Sequence, residues 1–351
     1  MIAWRLACEG CDVVLIDAAP MADNASGMAA GMLAPAFEAA LGGAMRNCFP
    51  LLKAARDCWP AVVERLDAEI GFRRSGAAWI DLAGERPQIE THAAELAAIG
   101  AVTETWDEPA SRVRLGLPRT IRGPALFTPE DWRLDPPAAL TALRRAAIEK
   151  GARVLTDHVV GFARGRVHLS GKESFAADRL IVATGFSRSD LAPEMAALSP
   201  IKGQLLCFPG LGVADDRPVL RTALGYAAFG IGGLRVGATM EVGADDRAVD
   251  AASIEPFVRL SQALVPAEAC TAFKPEAGVR AATPDGLPLV GRSATSGVYL
   301  ATGARRNGWL LAPLVAEITA AYLAGRDPGP FAKHLAPNRC LEEEATCRVS
   351  G

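Results

Sequence analysis

Three short glycine turns follow strand-like runs in this chain: "AAGMLAP" from Ala29, "VATGFS" from Val182 and "LATGARRNG" from Leu300. A turn that opens a helix presents backbone N–H groups with no intrahelical partner. The helix dipole adds partial positive charge there, so such a turn suits an anion or an electron-rich ring edge. One turn of this kind is common in any α/β chain; three in this order carry more weight. Two glycine clusters, "GLGVAD" at Gly210 and "GIGGLR" at Gly230, lack both the third glycine and a following helix and read as hairpin or loop glycines.

The opening "MIAWRLACEGCDVVLID" bears on the same chemistry. Ile2 to Ala7 reads as the end of an amphipathic helix, Gly10 as its stop, and Val13 to Ile16 as a short buried strand closed by Asp17. That is the second half of a βαβ unit. In a dinucleotide-binding unit the acidic residue follows a hydrophobic strand and a glycine-rich turn by about 20 positions. Here only Met1 precedes the helix.

Other chemistries find little support. Cys8 and Cys11 have CxxC spacing, but no second pair exists and the chain has four histidines, so no metal site is expected. No GxSxG elbow or HExxH helix occurs. The eight scattered cysteines suit a reducing compartment, and the charged residues Arg5, Glu9 and Asp12 interrupt any signal-peptide pattern. A cytoplasmic location is the expectation. The formal net charge of -3 supplies no basic field for nucleic acid and no polybasic membrane patch. The apolar run from Gly308 to Gly325 contains Glu317 and Pro313 and reads as a buried core helix rather than a membrane span.

The elements that must position these turns alternate between helices and strands. Helices are expected from Cys48 to about Ile70, over "RPQIETHAAELAAIG", over "AALTALRRAAIEKG", from Ile254 to Leu264 and from about Asn307. Strands are expected in "SGAAWIDL", "ARVLTDHVVGFARGRVHL", "DRLIVATG", "IKGQLLCF", "VLRTALGYAAFG", "LRVGATM" and "GVYLATG". Their order implies an α/β, two-domain fold. A Rossmann-like nucleotide domain (1–45, 140–200 and 278–335) is interleaved with an antiparallel-sheet substrate domain (46–139 and 201–277), and 336–351 forms a tail.

The motif set "ASGMAAGMLAP", "GYAAFGIGGLRVGATMEVG", "AGVRAATPDGLPLVG" and "YLATGARRNGWLLAPL" closely resembles the glycine oxidase family of thiamine biosynthesis, within the larger D-amino-acid oxidase-like group of FAD enzymes. The resemblance runs from Met1 to about Ala332. It implies non-covalent FAD, with Asp17 on the adenosine ribose, Val160 at adenine, and Ala30, Gly31, Met32 and Leu33 along the pyrophosphate and flavin. Ala183, Thr184 and Gly185 would support the phosphate and ribitol region. Gly303 and the turn Arg306, Asn307, Gly308 and Trp309 would face the flavin carbonyl edge. Arg280 matches the family's carboxylate-binding arginine, a role for which a planar guanidinium is suited because it forks onto a carboxylate in two parallel bonds. Tyr226 falls near the family's substrate tyrosine, while Arg306 and Met240 would line the same pocket.

The implied reaction is hydride transfer from the α-carbon of a small amino acid or amine to flavin. The imine is then hydrolysed, and oxygen reoxidises the flavin to give hydrogen peroxide. The cofactor performs the difficult step, so the lack of a conspicuous acid–base dyad is compatible. A homo-oligomer is the family expectation. This sequence departs from the family pattern at Ala304 and Arg305, where a histidine and an aromatic residue are common, which opens the substrate preference. The absent first strand and glycine turn imply about 10 to 20 further residues upstream, with a degraded, non-catalytic paralogue as the alternative. A quinone-linked D-amino-acid dehydrogenase of the same fold is the other alternative.

Overall fold

The computed structural model describes residues 1–19, 24–82, 86–187, 189–211, 216–265 and 272–340. Most of the proposed tail, part of the loop before Asn24 and the end of the "GLGVAD" cluster lie outside them.

Nine strands form one large, mostly antiparallel sheet. Its longest strand, the ten-residue Ser199–Phe208, pairs on one side with Lys274–Ala282 and on the other with Gly233–Gly237. The strand expected in "IKGQLLCF" is present, and every residue from Ile201 to Phe208 is buried, the polar Lys202 and Gln204 included. The strand Gly225–Gly230 turns through Ile231-Gly232 into Gly233–Gly237, so the Gly230 cluster is a hairpin, as expected. Only Val219–Thr222 beside Ala77–Ile80 runs parallel within this sheet.

The nucleotide-type part is smaller and comes in pieces. Val14–Ile16 pairs in parallel with Arg153–Leu155, and Leu180–Val182 pairs in parallel with Val298–Thr302. Among the described residues these two pairs do not join into one sheet, and the apolar side chains of Val14, Leu15, Ile16, Leu180 and Ile181 are only half-buried. Val159–Ala163, Arg166–Leu169 and Ser174–Ala176 make a separate three-stranded antiparallel sheet. That differs from the single return to the parallel sheet expected for "ARVLTDHVVGFARGRVHL", of which only Arg153–Leu155 takes part.

The helix expected over 48–70 is two helices, Phe49–Asp57 and Trp59–Leu66. Pro60 lacks the N–H that would continue the first helix, and its ring would clash with the carbonyl one turn earlier. Gly308–Leu323 is the long apolar helix expected near the end, with ten of its sixteen residues buried. It packs on the opening helix Ile2–Cys8, where Arg5 Nε donates to Glu317 Oε1 at 2.6 Å, and on Trp59, whose Nε1 donates to the Trp309 carbonyl at 3.0 Å. The polar residue in its middle is thus an ion-pair partner at the helix surface. No helix among the described residues is long and apolar enough to cross a membrane.

Asp135 ties the two regions together. Its side chain caps the helix Pro136–Glu149 by accepting from Ala138 N at 3.1 Å, and its other oxygen accepts from Gly232 N at 2.9 Å in the sheet hairpin.

Candidate active site

A cavity of about 370 Å³ opens where the Ala29–Met32 turn, the start of the last helix and the face of the large sheet meet. Its size is that of a small-molecule pocket.

The turn is held by close packing. Asn24 caps the short helix Ala25–Met28, accepting from Gly27 N at 2.9 Å. Gly31 follows at φ +75, and a Cβ there would lie 2.1 Å from the Leu134 carbonyl oxygen. Only glycine tolerates both the left-handed backbone and that approach. Leu134 N donates to the Gly31 carbonyl at 2.9 Å, and Met32–Leu33 pairs with Trp132–Arg133. Ala30, Gly31 and Met32 therefore line the cavity, whereas the Leu33 side chain is fully buried in the core.

The helix Pro35–Leu41 comes next. Asp131 accepts from Ala36 N at 2.8 Å and Phe37 N at 3.4 Å, satisfying first-turn donors that no local residue reaches. Burial pushes the Asp131 carboxyl up to about 7, against the pull of Arg221 and those two amides. The helix delivers Glu38 to the cavity wall, 5% exposed. Arg221 Nη2 donates to Glu38 Oε1 at 3.3 Å, and Arg306 pairs with the other oxygen. Burial alone would raise the Glu38 pKa, but the charges of Arg306 and Arg221 outweigh it and hold the carboxyl below its ordinary range.

Arg280 approaches from the opposite wall. On the strand Lys274–Ala282 it sits opposite Ile201, diagonal to Gly203 on the same face of the sheet. A Cβ at Gly203 would lie 2.2 Å from both Nη atoms, so the guanidinium occupies the space that glycine leaves. Nη1 donates to the Thr239 carbonyl at 3.3 Å and lies 3.6 Å from Met240 Sδ. Among the described residues no carboxylate pairs with Arg280. Burial lowers its pKa, with Tyr226 opposing that shift. Tyr226 lies opposite Arg221 on one neighbouring strand and Gly237 on the other, and burial raises its phenol pKa, keeping it protonated.

The last turn completes the enclosure. Asn307 begins the helix Gly308–Leu323 without a side-chain cap, so its first N–H groups are left for a ligand. Trp309 lines the cavity, and its Nε1 donates to the Ser26 carbonyl at 2.9 Å, tying the helix start to the first turn.

The cavity thus brings together Ala30, Gly31, Met32, Tyr226, Met240, Arg280, Arg306, Asn307 and Trp309. Gly308 lies between the lining residues Asn307 and Trp309, whereas Gly303, at φ +85, packs against Leu198 and Thr283, which do not line the cavity. Four other candidates stand at exposed strand ends or faces: Asp17, whose carboxylate accepts from Ala19 N at 3.0 Å, Val160 at 63% exposure, Ala183 and Thr184. Gly185 is held by Thr302 Oγ1, which donates to its carbonyl at 3.0 Å.

Glu38, Arg221, Gly203 and Trp79 line the cavity and were not singled out in the sequence. Three had a signal: Glu38 is the lone acid in "PAFEAAL", Arg221 the lone charge in "VLRT", and Gly203 a glycine inside an apolar strand, which marks a close approach. Among the described residues no cluster of three metal-binding side chains exists.

The profile of the family described as FAD dependent oxidoreductase matches residues 1–322. The glycine oxidase of Pseudomonas putida is 25% identical over 357 residues, covering 95% of this chain and 94% of that protein. The crystal structure of glycine oxidase from Geobacillus kaustophilus superposes with a TM-score of 0.78 at 24% identity, covering 93% of this chain and 91% of that one. Iminodiacetate oxidase from Chelativorans sp. BNC1 superposes with a TM-score of 0.80 at 20% identity, covering 96% and 95%. The fold is therefore that of the D-amino-acid oxidase-like enzymes, and FAD is the family's cofactor.

The residues present fit a flavin. Gly31 keeps one wall at backbone level, the uncapped helix start supplies N–H donors for an electron-rich edge, and alanine and methionine side chains line the rest. No cysteine lines the cavity, in keeping with non-covalent binding.

Proposed function

We propose that this chain, which belongs to the FAD-dependent oxidoreductase family, oxidises glycine or a similarly small amino acid or amine to an imine. Water then converts the imine to an oxo acid and ammonia. The observation that carries this reading is Arg280, a buried guanidinium that lines the cavity and has no carboxylate partner among the described residues. A substrate carboxylate would satisfy it in two parallel bonds.

Bound FAD would supply the hydride acceptor and the route by which electrons reach oxygen as hydrogen peroxide. The chain's own residues orient and enclose. Arg280 fixes the carboxylate, and Gly203 gives its head room. Tyr226, kept protonated, donates its hydroxyl to the same carboxylate. Glu38 holds Arg306 and Arg221 in place. Trp79, Met240 and Trp309 exclude water and so strengthen each of these charged contacts. The likeness to glycine oxidases supports a place in thiamine biosynthesis. Residues 1–45, 140–200 and 278–335 serve the cofactor, and 46–139 and 201–277 serve the substrate.

The test is anaerobic mixing of the FAD-loaded protein with glycine, sarcosine and D-amino acids. Loss of the oxidised flavin absorbance is expected with at least one of them. An unchanged spectrum with all of them overturns the reading. Reoxidation by a quinone analogue and not by oxygen would replace the oxidase by a dehydrogenase.

A further inference from the structure

The site carries more positive charge than a simple amino acid can answer. Arg221, Arg280 and Arg306 line the cavity, and Glu38 is the one carboxylate among the lining residues described. Glu38 is already shared between Arg221 and Arg306. A glycine-sized substrate brings one carboxylate and one amine. It satisfies Arg280 and adds nothing to the remaining excess.

Arg305 adds to that excess, with its charge within reach of those of Arg306 and Arg280. Arg305 precedes Arg306 directly, and its side chain lies beside Gly286, which also neighbours Met45. Met45 in turn neighbours Gly42, whose missing side chain leaves room for Arg306 Nη2. The buried Met45 therefore packs near both arginine side chains. Asp285, next to Gly286, is taken by Arg339 at 2.8 and 3.1 Å. Among the described residues no carboxylate pairs with Arg305. Its backbone lies at φ +50, a left-handed conformation uncommon for a residue with a β-carbon. Strain of this kind persists where surrounding structure requires it and clusters at ligand sites. Two adjacent like charges, partly withdrawn from water, are also unfavourable until an anion joins them.

We propose that Arg305 and Arg306 form a second anion subsite, so that the preferred substrate is a small amine bearing two carboxylates, one on Arg280 and the other on this pair. The proposal rests on the amine-oxidation reading above. The second carboxylate is carried either on the nitrogen substituent or on the side chain. Glu38 holds Arg306 on the side of its Nε and so leaves the rest of that guanidinium for the ligand.

The experiment compares each diacid with its own monoamide on the FAD-loaded protein: iminodiacetate against its monoamide, and D-aspartate against D-asparagine, with glycine as reference. The expected result is a kcat/KM roughly tenfold to hundredfold higher for at least one diacid, mostly through KM, the size of one added charge-assisted contact. Arg305→Gln should bring that ratio close to one, and Arg305→Lys should retain part of it. A second readout needs no turnover. Thiodiacetate, an unreactive diacid with sulfur for nitrogen, should bind by calorimetry about tenfold or more tighter than methylthioacetate, and Arg305→Gln should abolish the difference.

Equal kcat/KM for diacids and monoamides, with glycine still bleaching the flavin, overturns the subsite and leaves the oxidase reading standing. A diacid preference that survives Arg305→Gln overturns the role of Arg305. If no amine bleaches the flavin, the oxidase reading fails, and the thiodiacetate comparison still decides the subsite.

Discussion

Two regions of the molecule, proposed above to serve the substrate and the cofactor respectively, are built on different principles. The substrate end is a pocket between packed walls, where Arg280 fits against Gly203, Glu38 is buried between Arg221 and Arg306, and Trp309 is pinned to Ser26. The nucleotide end is a set of strand termini, with Asp17, Val160, Ala183 and Thr184 exposed and apart from that pocket. The difference follows from what each end must do. A small substrate is oriented by side chains that have been withdrawn from water, where each charged contact is strong. A long dinucleotide can be held by successive loops along a sheet, each contributing a few backbone or carboxylate contacts.

The contrast is broken most severely by Arg280→Met. Losing two charge-assisted bonds should lower kcat/KM by about two to four powers of ten while FAD affinity stays within severalfold. A comparable loss of FAD binding would mean that the two regions are not separable. Next in size is Gly203→Ala. The new Cβ would meet only the flexible head of Arg280, so the head should shift and the fold should persist. We expect a tenfold to hundredfold loss of kcat/KM, about one charge-assisted contact, with an unchanged circular dichroism spectrum. Full activity in this variant would show that the guanidinium does not need the position seen here.

A third effect is on stability against pH. The folded-state pKa of Asp131 is raised to about 7, above its ordinary value of 3.8, because burial disfavours the charged form. The native state therefore binds the proton more tightly than the unfolded state. Its contribution is fully present below about pH 4 and is lost as pH rises toward 7, at no more than about 1.4 kcal/mol per pH unit. Asp131→Asn keeps one acceptor oxygen, which can serve Ala36 N, and should flatten that part of the profile in denaturant titrations. An unchanged slope would place the proton elsewhere. Smallest is Asp17→Asn, which should raise the dissociation constant for FAD by roughly threefold to tenfold and leave the KM for amine unchanged. An effect on KM alone would remove Asp17 from the nucleotide end.

Much of the architecture was legible in the order of patterns. The strand in "IKGQLLCF", the hairpin glycines at Gly230 and the last helix from Asn307 were readable, because strand and helix periodicity and turn chemistry are local properties. The break at Pro60 was also written in the chain. It was read as one helix because the apolar pattern runs on through it, and the backbone restriction of proline outweighs that pattern. The separation of the parallel strands into two pairs, and of Val159–Ala163 into its own sheet, could not be read, since pairing depends on segments far apart in sequence.

By itself the sequence determined the order of elements, the three glycine turns and the candidate arginine at Arg280, because each of these is encoded locally, in one short stretch of the chain. Only the tertiary structure decided that Glu38, Arg221 and Arg306 share one carboxylate, that Gly203 makes room for Arg280, and that Arg305 is left without a carboxylate partner among the described residues. The physical reason is that a charge's partner is set by burial and distance in space, and residues 38, 221 and 306 come within reach of one another only when the sheet, the first turn and the last helix pack together.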